Sequence, residues 1–232
     1  MLAKSRAPDI LMYKNILKRI FDIIISGIGI LFLIPFWLIL SLLIVIDDPG
    51  FVFFTQKRVG RQKKLFPILK FRTMKTKTPH DTPTHLLVNP EQYITRIGRI
   101  LRKTSLDELP QLFNIFAGHM SIVGPRPALW NQYDLIAERD KYGANDIRPG
   151  LTGLAQINGR DELPIPEKAK LDGEYAAKIG FITDLRCIIG TFSAVFSHKG
   201  VVEGGTGAMI KEEQTVSTSD TPVKTDKGLV SK

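Results

Sequence analysis

From residue 23 to residue 46 the chain reads IIISGIGILFLIPFWLILSLLIVI, and no charge interrupts it. A run beyond about 18 apolar residues is long enough for a membrane helix. It also exceeds the roughly 7–15-residue core of a signal peptide, and no small-residue cleavage site follows. The run therefore predicts membrane association. Pro35 stands at its middle. A proline lacks the N–H, and its ring collides with the carbonyl four residues back, here Leu31, so the helix kinks or breaks. Each half would be about 12 residues, roughly 18 Å long, against a hydrocarbon core of about 30 Å. Lys14, Lys18 and Arg19 precede the run, and Lys57, Arg58 and Arg61 follow it. Lys and Arg collect on the cytoplasmic side, and here both flanks carry them. Two arrangements satisfy this pattern. One is a re-entrant helix-break-helix hairpin that enters and leaves on one face; the other is a single kinked helix that crosses.

Downstream the period changes. FVFFTQKR (51–58) and KLFPILKF (64–71) read as two strands around the turn VGRQK. They predict a β-hairpin, with Pro67 placing the second strand at an edge. Residues 76–90, rich in Thr, Pro and His, read as a loop. In EQYITRIGRILRK (91–103), Ile94, Ile97 and Leu101 share one helical face. That stripe predicts a helix packed on the core or an amphipathic helix at the lipid interface. Helices are further expected over 107–117, 128–143, 167–180 and 181–197, and the polar stretch from 211 reads as a disordered tail. The fold class is α+β, mainly helical. The expected division is a membrane segment (1–47), a catalytic domain (48–210) and the tail (211–232).

Composition narrows the partners. With 32 Lys+Arg against 23 Asp+Glu, the net charge of +9 predicts an anionic partner such as a lipid headgroup, a nucleic acid or a phosphorylated substrate. No nucleic-acid motif accompanies the charge, so nucleic acid is excluded as the expected partner. Cys187 stands alone, which excludes a disulfide framework, and the four histidines lack zinc-ligand spacing.

The candidate chemistry starts in SLDELPQL (105–112), where Asp107 and Glu108 are adjacent. Ser105 and Glu108 match a capping box. Pro110 conflicts with a cap at Ser105, because it would fall in the helix interior. A cap at Asp107 would put that carboxylate beside free backbone N–H groups, lower its pKa and attract phosphate. An ionised Asp among cations suits a nucleophile that attacks phosphorus, and Arg102 lies close upstream. In GPRP (124–127) the two prolines hold Arg126 extended, fit for bidentate phosphate binding or simply a rigid turn. RPGLTGLAQINGR (148–160) sets Gly150 and Gly153 between Arg148 and Arg160, where they allow close backbone approach to a ligand. Gln156 and Asn158 there offer amides to a base or sugar.

In order, KRIFDI (18–23), the proline-broken apolar run, KFRTM (70–74), RKTSLDELPQLFNIF (102–116), MSIVGPRP (120–127) and RPGLTGLAQINGR closely resemble the bacterial sugar transferases, the monotopic phosphoglycosyl transferases. The resemblance covers residues from about 14 to 205. It implies transfer of a sugar-1-phosphate from a UDP-sugar to polyprenyl phosphate, usually undecaprenyl phosphate, with release of UMP. Asp107 would form a covalent phosphosugar ester, with Glu108 as its acidic partner and Mg²⁺ beside both. Arg102 and Arg126 would bind phosphate. Lys70, Arg72, Arg148, Gln156, Asn158 and Arg160 complete the expected substrate-binding set. The resemblance also implies a re-entrant hairpin and a place at the cytoplasmic face of the bacterial inner membrane, among membrane lipids; a homodimer is among the arrangements it allows. Two positions depart from the pattern: Ile34 replaces a serine common before the breaking proline, and Leu154 replaces a tryptophan. No extra N-terminal membrane helices are evident, so a minimal catalytic form is expected. The competing readings are a basic membrane adaptor without catalysis and a glycosyltransferase that would release UDP.

Overall fold

In a computed structural model, residues 12–78, 89–159 and 162–197 are described. The expected tail, Arg160, and most of the loop at 76–90 lie outside them.

A π-helical turn, Tyr13–Leu17, leads into α1 (Lys18–Asp47). One stripe of α1 is buried: Asp22, Ser26, Trp37, Leu40 and Ile44 face the domain. Leu31, Phe32, Leu38, Leu42 and Ile46 face outward. The i, i+3/i+4 spacing of the inner set lets one face pack along the domain while the other stays apolar and exposed. Both ends are fixed to the same body. At the start, Asp22 accepts from Ser121 Oγ at 3.0 Å and from the Ile122 amide at 2.9 Å. At the end, Asp47 accepts from the Ile97 amide at 2.8 Å, and Asp48 pairs with Arg72.

The backbone stays helical through Pro35, which corrects the expectation of two half-helices separated by a break. Proline inside a helix costs about 3 kcal/mol. Burial of Trp37, Leu40 and Ile44 just beyond it stabilises by roughly 1.5–3 kcal/mol each, so packing on the domain outweighs the lost hydrogen bond.

The hairpin β1 (Phe53–Val59) and β2 (Leu65–Phe71) is antiparallel, with Phe53 opposite Phe71 and Pro67 opposite Lys57. Phe66, Ile68 and Phe71 of β2 point into the main core with Trp37, Leu101 and Ile115. A short 3₁₀ turn (Pro90–Tyr93) precedes α2 (Arg96–Thr104), which starts where Thr95 accepts from the Gly98 amide at 2.9 Å. The stripe read from sequence is borne out on the core side, where Ile94 and Leu101 are buried and Ile100 is exposed. α3 (Gln111–Ala117) packs against both α1 and β2.

A second sheet, unread in the sequence, pairs β3 (Ser121–Val123) in parallel with β4 (Gly150–Thr152). α4 (Tyr133–Asp140) is shorter than the expected 128–143. Its first residues are held by β1 instead: the Ala128 carbonyl accepts from the Val59 amide, and Leu129 bridges Arg58. α5 (Leu154–Ile157), α6 (Ile165–Ala177) and α7 (Phe181–Ser197) complete the described residues, α7 within the expected bounds.

Candidate active site

Asp107 and Glu108 belong to a 3₁₀ turn, Leu106–Glu108, wedged between α2 and α3. Ser105 reverses the chain with a left-handed backbone (φ 57°), and its amide donates to the Arg102 and Leu101 carbonyls that α2 leaves open. Ser105 makes no side-chain capping bond, and Pro110 rather than Asp107 stands at the start of α3. The expected capping roles of Ser105 and Asp107 are thus corrected. The proline's fixed φ favours a helix start, and the acids sit one turn earlier.

The two carboxylates have opposite environments. Glu108 Oε1 lies 2.8 Å from Lys70 Nζ and 2.8 Å from an Arg126 guanidinium nitrogen. Burial alone would raise its pKa, but Arg126 and Lys70 outweigh burial and hold Glu108 well below the usual carboxylate range. Asp107 is 8% exposed and accepts no hydrogen bond from the described residues. Burial pushes its pKa up to about 6; the Glu108 charge adds to the rise, while Lys70, Arg102 and Arg126 restrain it. The expectation of a lowered pKa is corrected, because desolvation exceeds the pull of the cations. At neutral pH Asp107 is still mostly ionised, a poorly solvated carboxylate facing cations.

The cations are themselves fixed. Lys70 projects from β2, and Arg102 Nε donates to Thr73 Oγ1 at 2.9 Å. The Arg126 carbonyl accepts from Arg139 at 3.0 Å, and Arg139 is locked to Asp172 at 2.6 Å in a buried pair. Arg58 donates to the Pro127 carbonyl at 3.1 Å. Beneath this loop runs the glycine segment. A Cβ at Gly150 would lie 2.0 Å from the Gly124 amide nitrogen, and one at Gly153 would lie 2.1 Å from the Gly124 carbonyl oxygen. The close approach expected toward a ligand is thus made to the GPRP loop. Gln156 donates weakly to the Gly124 carbonyl at 3.5 Å, so it also supports that loop.

The structure therefore gathers Lys70, Arg102, Asp107, Glu108 and Arg126. Three other expected binders have partners outside this cluster. Arg72 pairs with Asp48; Arg148 Nε donates to the Gly118 carbonyl at the far end of α3; Asn158 donates to the Leu154 carbonyl of its own helix. Sequence reasoning missed Thr73, Arg58, Arg139 and Asp172. A signal existed for the last two. Arg139 is four residues from the buried Leu135, and Asp172 lies between the buried Ala169 and Ala176, so each puts a charge on a core-facing stripe.

No cluster of three or more His, Cys, Asp or Glu able to hold a metal occurs among the described residues. The adjacent carboxylates instead fit the usual Mg²⁺ mode of one or two carboxylates plus substrate phosphates. Asp107, which accepts no hydrogen bond among the described residues, would be the better ligand, because cations already engage Glu108.

The pattern that defines the bacterial sugar transferases matches residues 13–198, from the turn before α1 through α7. The chain belongs to the bacterial sugar transferase family. It is 41% identical over 188 residues to the exopolysaccharide production protein PSS of Rhizobium leguminosarum bv. phaseoli, covering 76% of this chain and 93% of the relative. It is 34% identical over 197 residues to ExoY of Rhizobium meliloti, also named an exopolysaccharide production protein, covering 79% and 87%. A longer relative is the UDP-glucose:undecaprenyl-phosphate glucose-1-phosphate transferase of Xanthomonas campestris pv. campestris. It is 35% identical over 194 residues, which cover 81% of this sugar transferase and 40% of that protein.

Proposed function

We propose that this sugar transferase moves a sugar-1-phosphate from a UDP-sugar to polyprenyl phosphate, opening the assembly of a bacterial polysaccharide. The carrying observation is Asp107: a buried carboxylate that accepts no hydrogen bond among the described residues and feels the charges of Lys70, Arg102 and Arg126. An Asp Oδ attacks the sugar-bearing phosphorus, a P–O bond forms, and the bond to UMP breaks with its electron pair leaving on UMP. A polyprenyl phosphate oxygen then attacks the same phosphorus, and the Asp107–phosphorus bond breaks to restore the carboxylate. Lys70, Arg102 and Arg126 stabilise the charge on the phosphoryl oxygens, and Glu108 holds two of these cations in place. Mg²⁺, held by Asp107 with Glu108 nearby, supplies neutralisation of the donor diphosphate when bound. The name of the Xanthomonas relative, with its UDP-linked donor and lipid phosphate acceptor, supports the same substrate classes here.

The protein acts as a monotopic enzyme at the cytoplasmic face of the inner membrane. α1 is anchored to one domain near both ends, by Asp22 and by Asp47, while its opposite face is apolar. This supports an outer face lying in lipid with both ends on one side, rather than a crossing. Cysteines placed at 17 and 49 should label from the same side of sealed vesicles; labelling from opposite sides would refute the monotopic reading.

One chromatogram tests the reaction. Membranes given a panel of UDP-sugars should release UMP. Release of UDP would identify a simple glycosyltransferase, and anionic-lipid binding with no nucleotide product would identify an adaptor.

A further inference from the structure

At the end of α3 remote from Asp107, a cavity of about 340 Å³ opens between α1, β3 and the segment before β4. Five cations line it, including Lys14, Lys18, Arg19, Arg61 and Arg148, against two carboxylates, Asp22 and Asp146. Its size falls in the range of small-ligand sites, about 300–1,000 Å³. Five cations against two carboxylates leave a positive excess, although Asp22 offsets part of it through Lys18, Arg19 and Arg148. Asp22 also accepts from Ser121 Oγ and the Ile122 amide. Lys18 is drawn to Asp184 at 2.6 Å, behind the cavity.

The arginines are held in place by carbonyls rather than by acids. Arg19 donates to the Ile115 and Phe116 carbonyls, Arg148 to that of Gly118, and Arg61 to that of Asp146. Among the described residues none of the three forms an ion pair within 4.0 Å. They also repel one another: burial first, then the charges of Arg19 and Arg61, lower the pKa of Arg148, against a smaller opposing pull from Asp22. Guanidiniums that line one cavity and are not neutralised by an ion pair suit the oxygens of a phosphate group. α3 has seven residues, so roughly 10 Å of helix separates this cavity from the Asp107 turn.

We propose that this cavity is a second anion site, which binds a phosphate mono- or diester through Arg61 and Arg148. Its wall is the stretch of chain where the exposed apolar face begins, at Ile16, Ile20 and Phe21. A phospholipid headgroup or a free phosphate would bring the same chemistry. The site does not depend on the transfer reaction.

The test uses the full chain in neutral detergent. Native mass spectrometry follows retention of phosphatidylglycerol against phosphatidylcholine, and thermal unfolding follows stabilisation by inorganic phosphate. Wild-type protein should prefer phosphatidylglycerol, and the pair Arg61→Gln with Arg148→Gln should lower its retention at least fivefold. Arg126→Gln, at the other end of α3, should retain it like the wild type. Stabilisation by inorganic phosphate that the double variant loses, without a lipid preference, would assign the same site to free phosphate. If the double variant does not fold, Arg61→Gln alone, whose side chain donates to the exposed Asp146 carbonyl, should still lose at least twofold. Equal anion binding by wild type and the Arg61 variants, or an equal loss in Arg126→Gln, would overturn the proposal.

Discussion

Two buried groups of acid and arginine lie on either side of the GPRP loop, and they are built to opposite ends. Arg139 and Asp172 form a closed pair, 3% and 1% exposed, whose guanidinium also carries the Arg126 carbonyl. The other group is open. Glu108 takes Lys70 and Arg126 for itself, the Arg126 side chain remains 38% exposed, and Asp107 accepts no hydrogen bond among the described residues. A buried ion pair of this kind serves the fold, with Asp172 Oδ2 on Arg139 and Oδ1 without a hydrogen-bond partner among the described residues. Asp107, desolvated and beside cations that Glu108 holds, has a raised pKa and oxygens available for reaction.

Substitutions should separate the two groups. Asp107→Asn should lower turnover at least about 10³-fold, while circular dichroism stays native. Asp172→Ala should do the reverse. It leaves the Arg139 charge buried and unpaired, at a cost of about 3–5 kcal/mol, so the melting temperature should fall on the order of 10 °C. Turnover per folded molecule should survive it better than it survives Asp107→Asn. Arg126→Lys keeps the charge but loses the planar fork, and should reduce kcat/KM on the order of 10²-fold without unfolding the protein.

The smallest effect is on stability and carries a sign. The Asp107 pKa is raised from 3.8 to about 6 in the folded state. Folded protein therefore binds more protons than unfolded protein between these values, and ionised Asp107 costs stability above pH 6. The cost shrinks as pH falls from about 6 toward 3.8 and is gone below. Asp107→Asn should thus raise stability at pH 8 by up to about 3 kcal/mol, with the difference closing toward pH 4. Activity should fall along the same pH window as the nucleophile becomes protonated. A variant no more stable than wild type at pH 8 would mean that Asp107 is as well solvated as an ordinary carboxylate.

Period and motif made much of this legible. The strand-like runs FVFFTQKR and KLFPILKF, split by a glycine turn, found the hairpin that carries Lys70, and DELP and GPRP marked Asp107, Glu108 and Arg126. What escaped depended on three-dimensional burial. β3 and β4 have three residues each, too few for a period, and they pair across residues 121–152. The sign of the Asp107 shift followed from how deeply the turn sinks, which local sequence does not state. Arg148 lies in a motif with Gln156, yet β4 carries the chain between them, and the two end in different places. Pro35 read as a break because local sterics were counted without the packing of Trp37, Leu40 and Ile44.

The most direct test withholds the lipid acceptor. Protein mixed with a UDP-sugar panel should gain the mass of one phosphosugar, mapped to the peptide holding Asp107, with one UMP released per adduct. Asp107→Asn should gain nothing. UMP release with no adduct, or an adduct on another residue, would contradict the account.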